Sequence, residues 1–366
     1  MTMHVLHVVG ARPNFMKVAP VMAALARHTG VIQTLVHTGQ HYDINMSDIF
    51  FQQLGIPAPD VNLGVGSGSH AQQTAQIMSR FEPVLSERKP DIVLVYGDVN
   101  STVAAALVCA KLGICVGHVE AGLRSFDRTM PEEINRLVTD QLADLLFTPS
   151  EDGNANLARE GISPEKVHLV GNVMIDTLVR MLPAALKSWE AGRFKVEGLE
   201  VEPKHYGLVT LHRPSNVDDL STLVQIMEAL TDISCNLPII FPIHPRTRQR
   251  LQNAQYATRN TALHLVEPLS YLDFLALQRY ATVVITDSGG IQEETTYLGV
   301  PCLTVRENTE RPVTVTLGTN TLVGRDMQRL RLEVSRILDG KIRSHQIPPL
   351  WDGKAGERIA DVITSG

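Results

Sequence analysis

Three carboxylic acids stand where predicted strands end or a predicted helix begins, and these positions favour proton transfer. Asp98 follows an apolar strand at 91–96, Glu120 follows the next strand at 115–119, and Glu132 opens a helix. The carboxyl ends of parallel strands share one edge of a sheet, so we expect the three acids to lie near each other. Each alone has another explanation, since Asp98 could cap a helix and Glu132 could complement a helix dipole. Together they indicate a site that moves protons or stabilises positive charge.

A glycine-rich turn after the predicted strand at 281–286 is typical of a phosphate site. Ser288, Gly289 and Gly290 would offer a hydroxyl and open backbone N–H groups at the start of a helix. Glu294 follows about one helical turn later, where its charge would repel phosphate but its oxygens suit a ribose diol. The segment therefore predicts a nucleotide clamp, with a plain glycine-rich turn as the alternative.

Basic side chains follow the other predicted strands. Arg12 and Lys17 come after the first strand, in a proline-containing turn that would begin a helix. His212 and His244 follow two successive strands of the second half, and Arg311 follows the strand after the glycine-rich turn. These groups could hold an anion or assist the acids. The alternatives are a solvated basic turn for the first pair and structural roles for the histidines.

Several other chemistries lack their sequence motifs. The chain has no Gly-x-Gly-x-x-Gly or P-loop sequence, no Gly-x-Ser-x-Gly elbow, and no metal-ligand spacing among its 13 histidines. We therefore expect neither a metal nor a redox cofactor. None of the four cysteines forms a Cys-x-x-Cys pair, and each lies in or beside an apolar run, so we expect buried, reduced thiols.

The elements that would position these residues alternate as strand and helix in both halves, which predicts doubly wound parallel sheets. Predicted strands lie near 4–9, 31–37, 91–96, 115–119, 144–148 and 167–170, then near 206–211, 238–243, 262–266, 281–286 and 301–305. Predicted helices between them include 16–28, 100–112 and 132–143. The stretch from about 180 to 205 is charged, contains two prolines and has no strand pattern.

We interpret that stretch as the crossing between two Rossmann-like domains that face a cleft. The predicted boundaries are 1–180 for the first domain, 181–352 for the second and 353–366 for a C-terminal helix that could pack back on the first. A length of 366 residues allows two such cores.

Composition and charge narrow the class of protein. Hydrophobic residues make up 44% of the chain and charged residues 20%, as in ordinary soluble proteins. The formal charge of −6 argues against general affinity for nucleic acid or anionic membranes. The N-terminus lacks the apolar region of a signal peptide, and no stretch approaches the about 20 apolar residues of a membrane helix. We expect a cytoplasmic protein.

Taken together, these segments resemble the non-hydrolysing UDP-N-acetylglucosamine 2-epimerases. In chain order the matching segments are Gly10-Ala11-Arg12-Pro13 with Lys17, Thr38-Gly39-Gln40-His41, Tyr96-Gly97-Asp98, Gly117-His118-Val119-Glu120-Ala121-Gly122-Leu123-Arg124, Pro131-Glu132-Glu133, Gly171-Asn172, His212-Arg213, Thr286-Asp287-Ser288-Gly289-Gly290-Ile291-Gln292-Glu293-Glu294 and Glu310-Arg311-Pro312. The resemblance implies the glycosyltransferase-B architecture and a homodimer. It also implies inversion of carbon 2 of a UDP-linked N-acetyl sugar, gluco to manno. The family does this by anti elimination of UDP, through a 2-acetamidoglucal, and re-addition from the other face.

The resemblance also assigns roles to residues of this chain. It implies sugar-side catalysis by the first domain and UDP binding by the second. The implied acid/base group is Asp98, Glu120 and Glu132, with Lys17 and His212 as catalytic helpers. The implied UDP ligands are Arg12, His244, Phe274, Ser288, Gly289, Gly290, Glu294 and Arg311. Phe274 could cover the uracil or belong to the core.

Two departures from the family pattern leave alternatives open. His212 and Arg213 are followed by Pro214-Ser215-Asn216, where many members read Arg-Glu-Asn. The segments Tyr42–Ser47 and Gly66–His70 resemble a branch that includes epimerases of UDP-2,3-diacetamido-glucuronic acid. That sugar is the alternative substrate. A glycosyltransferase and a hydrolysing 2-epimerase are more distant alternatives.

Overall fold

The computed structural model describes residues 2–39, 54–190, 195–197, 199–254 and 262–365. Contacts divide the chain into two compact units. Unit 1 comprises Met1–Leu178 and Pro349–Gly366, and unit 2 comprises Val179–Pro348.

Unit 1 contains a seven-stranded parallel sheet among its described residues. Its strands are β1 (Met3–Val9), β2 (Val31–His37), β3 (Val61–Asn62), β4 (Ile92–Tyr96), β5 (Cys115–Val119), β6 (Leu145–Thr148) and β7 (Val167–Leu169). The helices between them are α1 (Arg12–Leu25), α2 (His70–Arg88), α3 (Asn100–Leu112), α4 (Pro131–Leu142) and α5 (Glu151–Arg159). Helix α6 (Val173–Glu190) follows β7 and runs from unit 1 into unit 2, which begins at Val179. A 3-10 turn, Pro164–Lys166, precedes β7.

The strand order in unit 1 creates a switch point beside the first strand. The order is β3-β2-β1-β4-β5-β6-β7. The strands β2 and β3 therefore extend the sheet on one side of β1, and β4 to β7 extend it on the other side. The strands are apolar and buried on both faces, as the adjacent residues Val5 and Leu6 in β1 and Val93 and Leu94 in β4 show. Ligands of open α/β sheets bind at the carboxyl edge of such a switch point.

Unit 2 contains a six-stranded parallel sheet with the same type of switch, in the order β12-β11-β10-β13-β14-β15. Its strands are β10 (Gly207–Thr210), β11 (Ile239–Pro242), β12 (Leu263–Val266), β13 (Val283–Thr286), β14 (Cys302–Thr304) and β15 (Asn320–Leu322). Its helices are α7 (Pro214–Val217), α8 (Leu220–Ser234), α9 (Pro245–Asn253), α10 (Tyr271–Tyr280), α11 (Gly289–Leu298), α12 (Pro312–Thr316) and α13 (Met327–Leu338). The predicted α/β fold with two parallel sheets is confirmed.

The stretch from about 180 to 205 differs from the sequence prediction. Helix α6 continues through Pro183 to Glu190, and a small antiparallel hairpin follows, with β8 (Lys195–Val196) and β9 (Leu199–Glu200). The prediction of no strand here was wrong, because two-residue strands are too short to show a period. The hairpin gains its stability from packing, since Val196 joins an apolar cluster of unit 2.

The last helix, α14 (Ala355–Ser365), belongs to unit 1. The buried Asp176 carboxylate accepts the N–H groups of Ala355 at 3.1 Å and Gly356 at 2.7 Å, which caps the helix. A Cβ on Gly356 would lie 2.8 Å from the Pro20 backbone in α1, so the two helices cross closely. Burial raises the pKa of Asp176 to about 6, although these two N–H groups oppose the shift.

Among the described residues, no helix combines the length and apolar character needed to cross a membrane. Cys109 and Cys302 are buried free thiols and Cys115 is half-buried, but Cys235 is exposed, so the expectation of burial was wrong there. Cys235 is the C-terminal cap of α8, and helix ends lie at the protein surface more often than helix centres do.

Candidate functional site

The register of β4 and β5 brings two of the predicted acids to one place in unit 1. Tyr96 pairs with Val119 at the ends of these strands. The Gly97 N–H continues the ladder by donating to the Val119 carbonyl at 3.0 Å. Asp98 lies two residues beyond β4 and Glu120 lies one residue beyond β5, so both acids follow neighbouring strands at the carboxyl edge of the sheet.

Lys17 of α1 forms a buried ion pair with Glu120. Both residues are 6% exposed. Gly97 makes room for them, since a Cβ there would lie 2.5 Å from Lys17 Nζ and 3.2 Å from Glu120 Oε2. Glu120 itself has a φ of 75°, which is rare for a residue with a side chain. The backbone is therefore held in an unusual conformation that presents this carboxylate to the lysine.

Asp98 does not cap a helix, because the N-cap of α3 is Val99. Its carboxylate instead pairs with the buried Arg136 of α4, whose other nitrogen binds Glu133 at 2.7 Å. Burial opposes ionisation of Glu133, but the Ser125 N–H and the Arg136 guanidinium lower its pKa. Asp98 stays partly accessible, with 28% of its side chain exposed. The buried Arg136 guanidinium thus links the buried Glu133 to Asp98, which a ligand can contact.

Glu132 lies in the first turn of α4 and is half-buried. It has no hydrogen bond or ion pair to another described residue, whereas its neighbour Glu133 is fully engaged. Its carboxylate is available to a ligand, and the helix-dipole explanation also remains.

A second buried network in unit 1 was not predicted from the sequence. His118 Nδ1 lies 2.6 Å from Asp140, and its Nε2 lies 2.9 Å from the Gly97 carbonyl oxygen. Asp140 also pairs with Arg124 at 2.7 Å and accepts the Gly122 N–H at 3.1 Å. Burial opposes ionisation of Asp140, but His118 and Arg124 lower its pKa. This network ties the loop after β5 to the loop after β4.

In unit 2 a buried aspartate organises the loop that follows β10. Asp287 accepts the N–H groups of His212 at 3.1 Å and Arg213 at 3.0 Å, and the Asn216 amide at 3.0 Å. The His212 Nδ1 lies 3.1 Å from the same carboxylate, while 60% of its side chain is exposed. Burial opposes ionisation of Asp287, but the hydrogen bonds from His212 and its neighbours lower its pKa. Asp287 thus fixes the orientation of the His212 ring, and the exposed part of the ring is accessible to a ligand.

The glycine-rich turn is packed against Arg311. Ser288 is the N-cap of α11, and its hydroxyl makes no capping hydrogen bond. A Cβ on Gly289 would lie 2.4 Å from Arg311 Nη1, so only glycine allows the guanidinium to approach the helix start. Arg311 pairs with Glu293 at 2.8 Å and with Glu310 at 2.6 Å. The arginine is fixed in a position from which it adds positive potential to the first turn of α11.

Glu294 is buried on the same helix, 2% exposed. Burial raises its pKa to about 7, although the hydrogen bond from Tyr271 opposes the shift. The Tyr271 hydroxyl donates to Glu294 Oε1 at 2.9 Å. Phe274, on the same helix as Tyr271, is partly buried against the unit 2 core.

The other predicted residues have simpler surroundings. His244 is exposed and caps α9, with its Nδ1 accepting the Arg246 N–H at 3.2 Å. The side chain of Arg12, and the residues Gln40 and His41, lie outside what the structure describes. Within the described ranges, no three His, Cys, Asp or Glu side chains are grouped so as to hold a metal ion.

Comparison with known proteins gives one family for nearly the whole chain. The sequence profile described as UDP-N-acetylglucosamine 2-epimerase matches residues 23–364. The UDP-N-acetylglucosamine 2-epimerase of Methanocaldococcus jannaschii is 43% identical over 364 residues, 98% of each chain. The UDP-2,3-diacetamido-2,3-dideoxy-D-glucuronate 2-epimerase of Pseudomonas aeruginosa is 40% identical over 366 residues, 99% of each.

Solved structures agree with the sequence comparison. A crystal structure of the Methanocaldococcus jannaschii UDP-GlcNAc 2-epimerase in complex with UDP-GlcNAc and UDP matches with a TM-score of 0.90 and 43% identity, covering 100% of both chains. The Neisseria meningitidis UDP-GlcNAc 2-epimerase bound to UDP-GlcNAc matches at 0.89 and 32%, also over 100% of both. The predicted glycosyltransferase-B fold is confirmed by these matches. On profile, identity and fold alike, the chain belongs to the UDP-N-acetylglucosamine 2-epimerase family.

Proposed function

We propose that this protein interconverts UDP-N-acetylglucosamine and UDP-N-acetylmannosamine by inverting carbon 2, without hydrolysis. The observation that carries the proposal is the 43% identity, over 98% of both chains, to an enzyme named for this reaction. Family membership makes the chain an isomerase, and the UDP-GlcNAc bound to two structural relatives supports a UDP-sugar substrate.

The chemistry explains why acids and bases are needed together. The hydrogen on carbon 2 is not next to a carbonyl, so direct removal of the proton is difficult. Elimination of UDP breaks the C–O bond at carbon 1, which builds positive charge on the sugar and negative charge on the leaving diphosphate. We assign Asp98, Glu120 and Glu132 to the sugar, where they stabilise the cationic ring and move the carbon 2 proton. Lys17 holds the Glu120 carboxylate in place through their buried ion pair.

We assign the leaving group to unit 2. The N–H groups at the start of α11, with Ser288 and Arg311, suit the diphosphate. His212 is oriented by Asp287 and exposed, so it can stabilise the charge that develops on the departing oxygen. Glu294 remains assigned to the ribose, Phe274 to the uracil and His244 to UDP. Arg12 also remains assigned to UDP, as a contact contributed by unit 1.

The diacetamido-glucuronic acid sugar is the less favoured alternative. One relative carries that name at 40% identity, whereas relatives named for UDP-N-acetylglucosamine reach 43% and 42%. A glycosyltransferase would need an acceptor and would leave carbon 2 unchanged.

Solvent exchange at carbon 2 distinguishes these possibilities. We expect incubation with UDP-GlcNAc in D₂O to yield UDP-GlcNAc and UDP-ManNAc that both carry deuterium at carbon 2. NMR and mass spectrometry would read the label. Deuterium in the diacetamido sugar alone would reassign the substrate, and free N-acetylmannosamine would indicate hydrolysis. UDP release only with an acceptor, and no exchange, would exclude an epimerase.

Asp98→Asn separates catalysis from binding. The amide is nearly isosteric but cannot accept a proton, so we expect turnover to fall by about 10² or more with the dissociation constant for UDP unchanged. Calorimetry with UDP and the deuterium assay give the two quantities. If the variant lost both turnover and affinity for UDP, Asp98 would instead be needed for folding.

We also propose a homodimer located in the cytoplasm. Light scattering coupled to size exclusion tests the first, with twice the mass of the 40.3 kDa chain expected. Fractionation of cells that express the tagged protein tests the second.

A further inference from the structure

Phe126 combines two features that are each uncommon. Its φ is 60°, a left-handed conformation that costs about 1 kcal/mol for a residue with a side chain. Its side chain is 71% exposed, although it is a large apolar ring. Burial therefore does not explain why phenylalanine occupies this position instead of glycine or asparagine. Strain of this kind is concentrated at ligand-binding positions.

The backbone of Phe126 is held by the network that holds Asp98. Glu133 accepts the Phe126 N–H through Oε1 at 2.9 Å and the Ser125 N–H through Oε2 at 2.9 Å. Arg136 binds both Glu133 and Asp98. Only one carboxylate and one guanidinium separate the Phe126 amide from Asp98, so the distance is on the order of 10 Å. A benzyl side chain and one sugar ring can fill such a distance.

We propose that Phe126 recognises the substrate by packing against the methyl of the acetamido group at carbon 2. This inference rests on the proposed function, since it assumes that Asp98 faces the sugar. The acetamido methyl is the one apolar end of an N-acetylhexosamine, and it stands beside the reacting carbon. Sugar sites pair a few polar groups with an apolar or aromatic wall. Phe126 supplies that wall, and the Glu133–Arg136 pair fixes it relative to the acid.

Replacing Phe126 with residues that tolerate the left-handed conformation tests the proposal. Phe126→Gly and Phe126→Asn remove the ring and relieve the strain. We expect Phe126→Asn to raise Tm by about 2 °C, because the strain is lost and no buried contact is. Phe126→Gly should raise Tm less, because glycine also gives the unfolded chain more conformational freedom. We expect kcat/KM for UDP-GlcNAc to fall about tenfold, mainly through KM, with the inhibition constant of UDP unchanged.

Leu332→Ala is the matched control, because Leu332 is also exposed, at 52%, and lies on α13 of unit 2. We expect it to leave kcat/KM and the UDP inhibition constant unchanged. A purely structural role for Phe126 predicts lower Tm in both variants, which would overturn the proposal. Unchanged kcat/KM, or an altered oligomeric mass in light scattering, would also overturn it, the latter by making Phe126 a contact between copies.

The same assays distinguish failure of this proposal from failure of the proposed function. If the wild-type protein incorporates no deuterium at carbon 2 of UDP-GlcNAc, the function itself is wrong. If the wild-type protein exchanges and the Phe126 variants match it, only the role of Phe126 is wrong.

Discussion

The acids near the two sheet edges differ in how their charge is balanced. Glu120 and Asp98 each face one basic side chain, Lys17 and Arg136, whereas Glu294 is buried beside a tyrosine and a second acid. A cation stabilises a buried carboxylate, but a neighbouring carboxylate and burial favour the neutral form. Glu294 is consequently an acid whose ionisation should be visible in protein stability.

Glu294→Gln should change how stability depends on pH. The pKa of Glu294 is raised from 4.5 to about 7 in the folded protein. Between these values the folded state keeps a proton that the unfolded state loses, so the contribution of Glu294 is full below pH 4.5 and disappears as pH rises through 7. We expect the unfolding free energy of the wild-type protein, relative to the variant, to fall by about 3 kcal/mol between pH 4.5 and 8.

Urea denaturation of both proteins across that range measures the difference. Asp176, whose pKa of about 6 gives a similar trend, is present in both and cancels. A difference that stayed constant with pH would mean that Glu294 is ionised in the folded state.

Arg136 lies between two carboxylates, so its removal should cost much more than the loss of a surface arginine. Arg136→Met leaves the buried Glu133 without its cation, and we expect a loss of about 3–5 kcal/mol. The control is Arg27→Met, since the Arg27–Glu357 pair is 69% and 47% exposed and should be worth less than about 1 kcal/mol. Equal losses from the two variants in urea denaturation would show that the Arg136 pair is as well solvated as the surface one.

At the scale of residues, the sequence predicts which side chains follow the strands but not which side chains they contact. Asp98 and Glu120 could be placed at strand ends because their strands are apolar and short. The Asp98–Arg136 pair spans 38 positions, and the Lys17–Glu120 pair spans 103, so no local pattern contains them. The strain at Glu120 and Phe126 was equally hidden, since a positive φ at a residue other than glycine depends on tertiary contacts.

At the scale of elements, the strands within apolar runs were predicted, whereas the two-residue strands and the three-residue β15 were not. Strands such as β1, β4 and β5 have five or seven residues and are buried on most positions. The two-residue β3, β8 and β9 are held by pairing with neighbours, which the sequence does not display. Helix α6 passes Pro183 where a break was expected, because tertiary packing overrides local propensity.

The crossing of α1 and α14 should be sensitive to a single methyl group. Gly356→Ala places a Cβ 2.8 Å from the Pro20 backbone, which cannot move aside as a side chain would. We expect a loss of about 1–3 kcal/mol despite the better helix propensity of alanine. Gly68→Ala is the control, because its nearest contact would be an ordinary 3.5 Å to Gln72. Thermal unfolding compares the two, and equal Tm values would mean that the helices separate without cost.

At the scale of the whole molecule, the proposed function divides the substrate between the two units, and hydrogen exchange can test that division. UDP lacks the N-acetylhexosamine, so it should protect backbone amides mainly in unit 2, at residues 286–294 and 310–316. At about 100 times its Kd, UDP adds about 2.7 kcal/mol and slows exchange about 100-fold for amides that exchange by opening of that unit. UDP-GlcNAc should add protection in unit 1 at residues 96–102 and 118–126.

Gly289→Ala is the control for UDP, since its Cβ would displace Arg311 from the start of α11 and abolish the protection in unit 2 at the same concentration. Protection by UDP that centred on unit 1 would contradict the division, because the diphosphate would then be bound by the lysine and the carboxylates that we assign to the sugar.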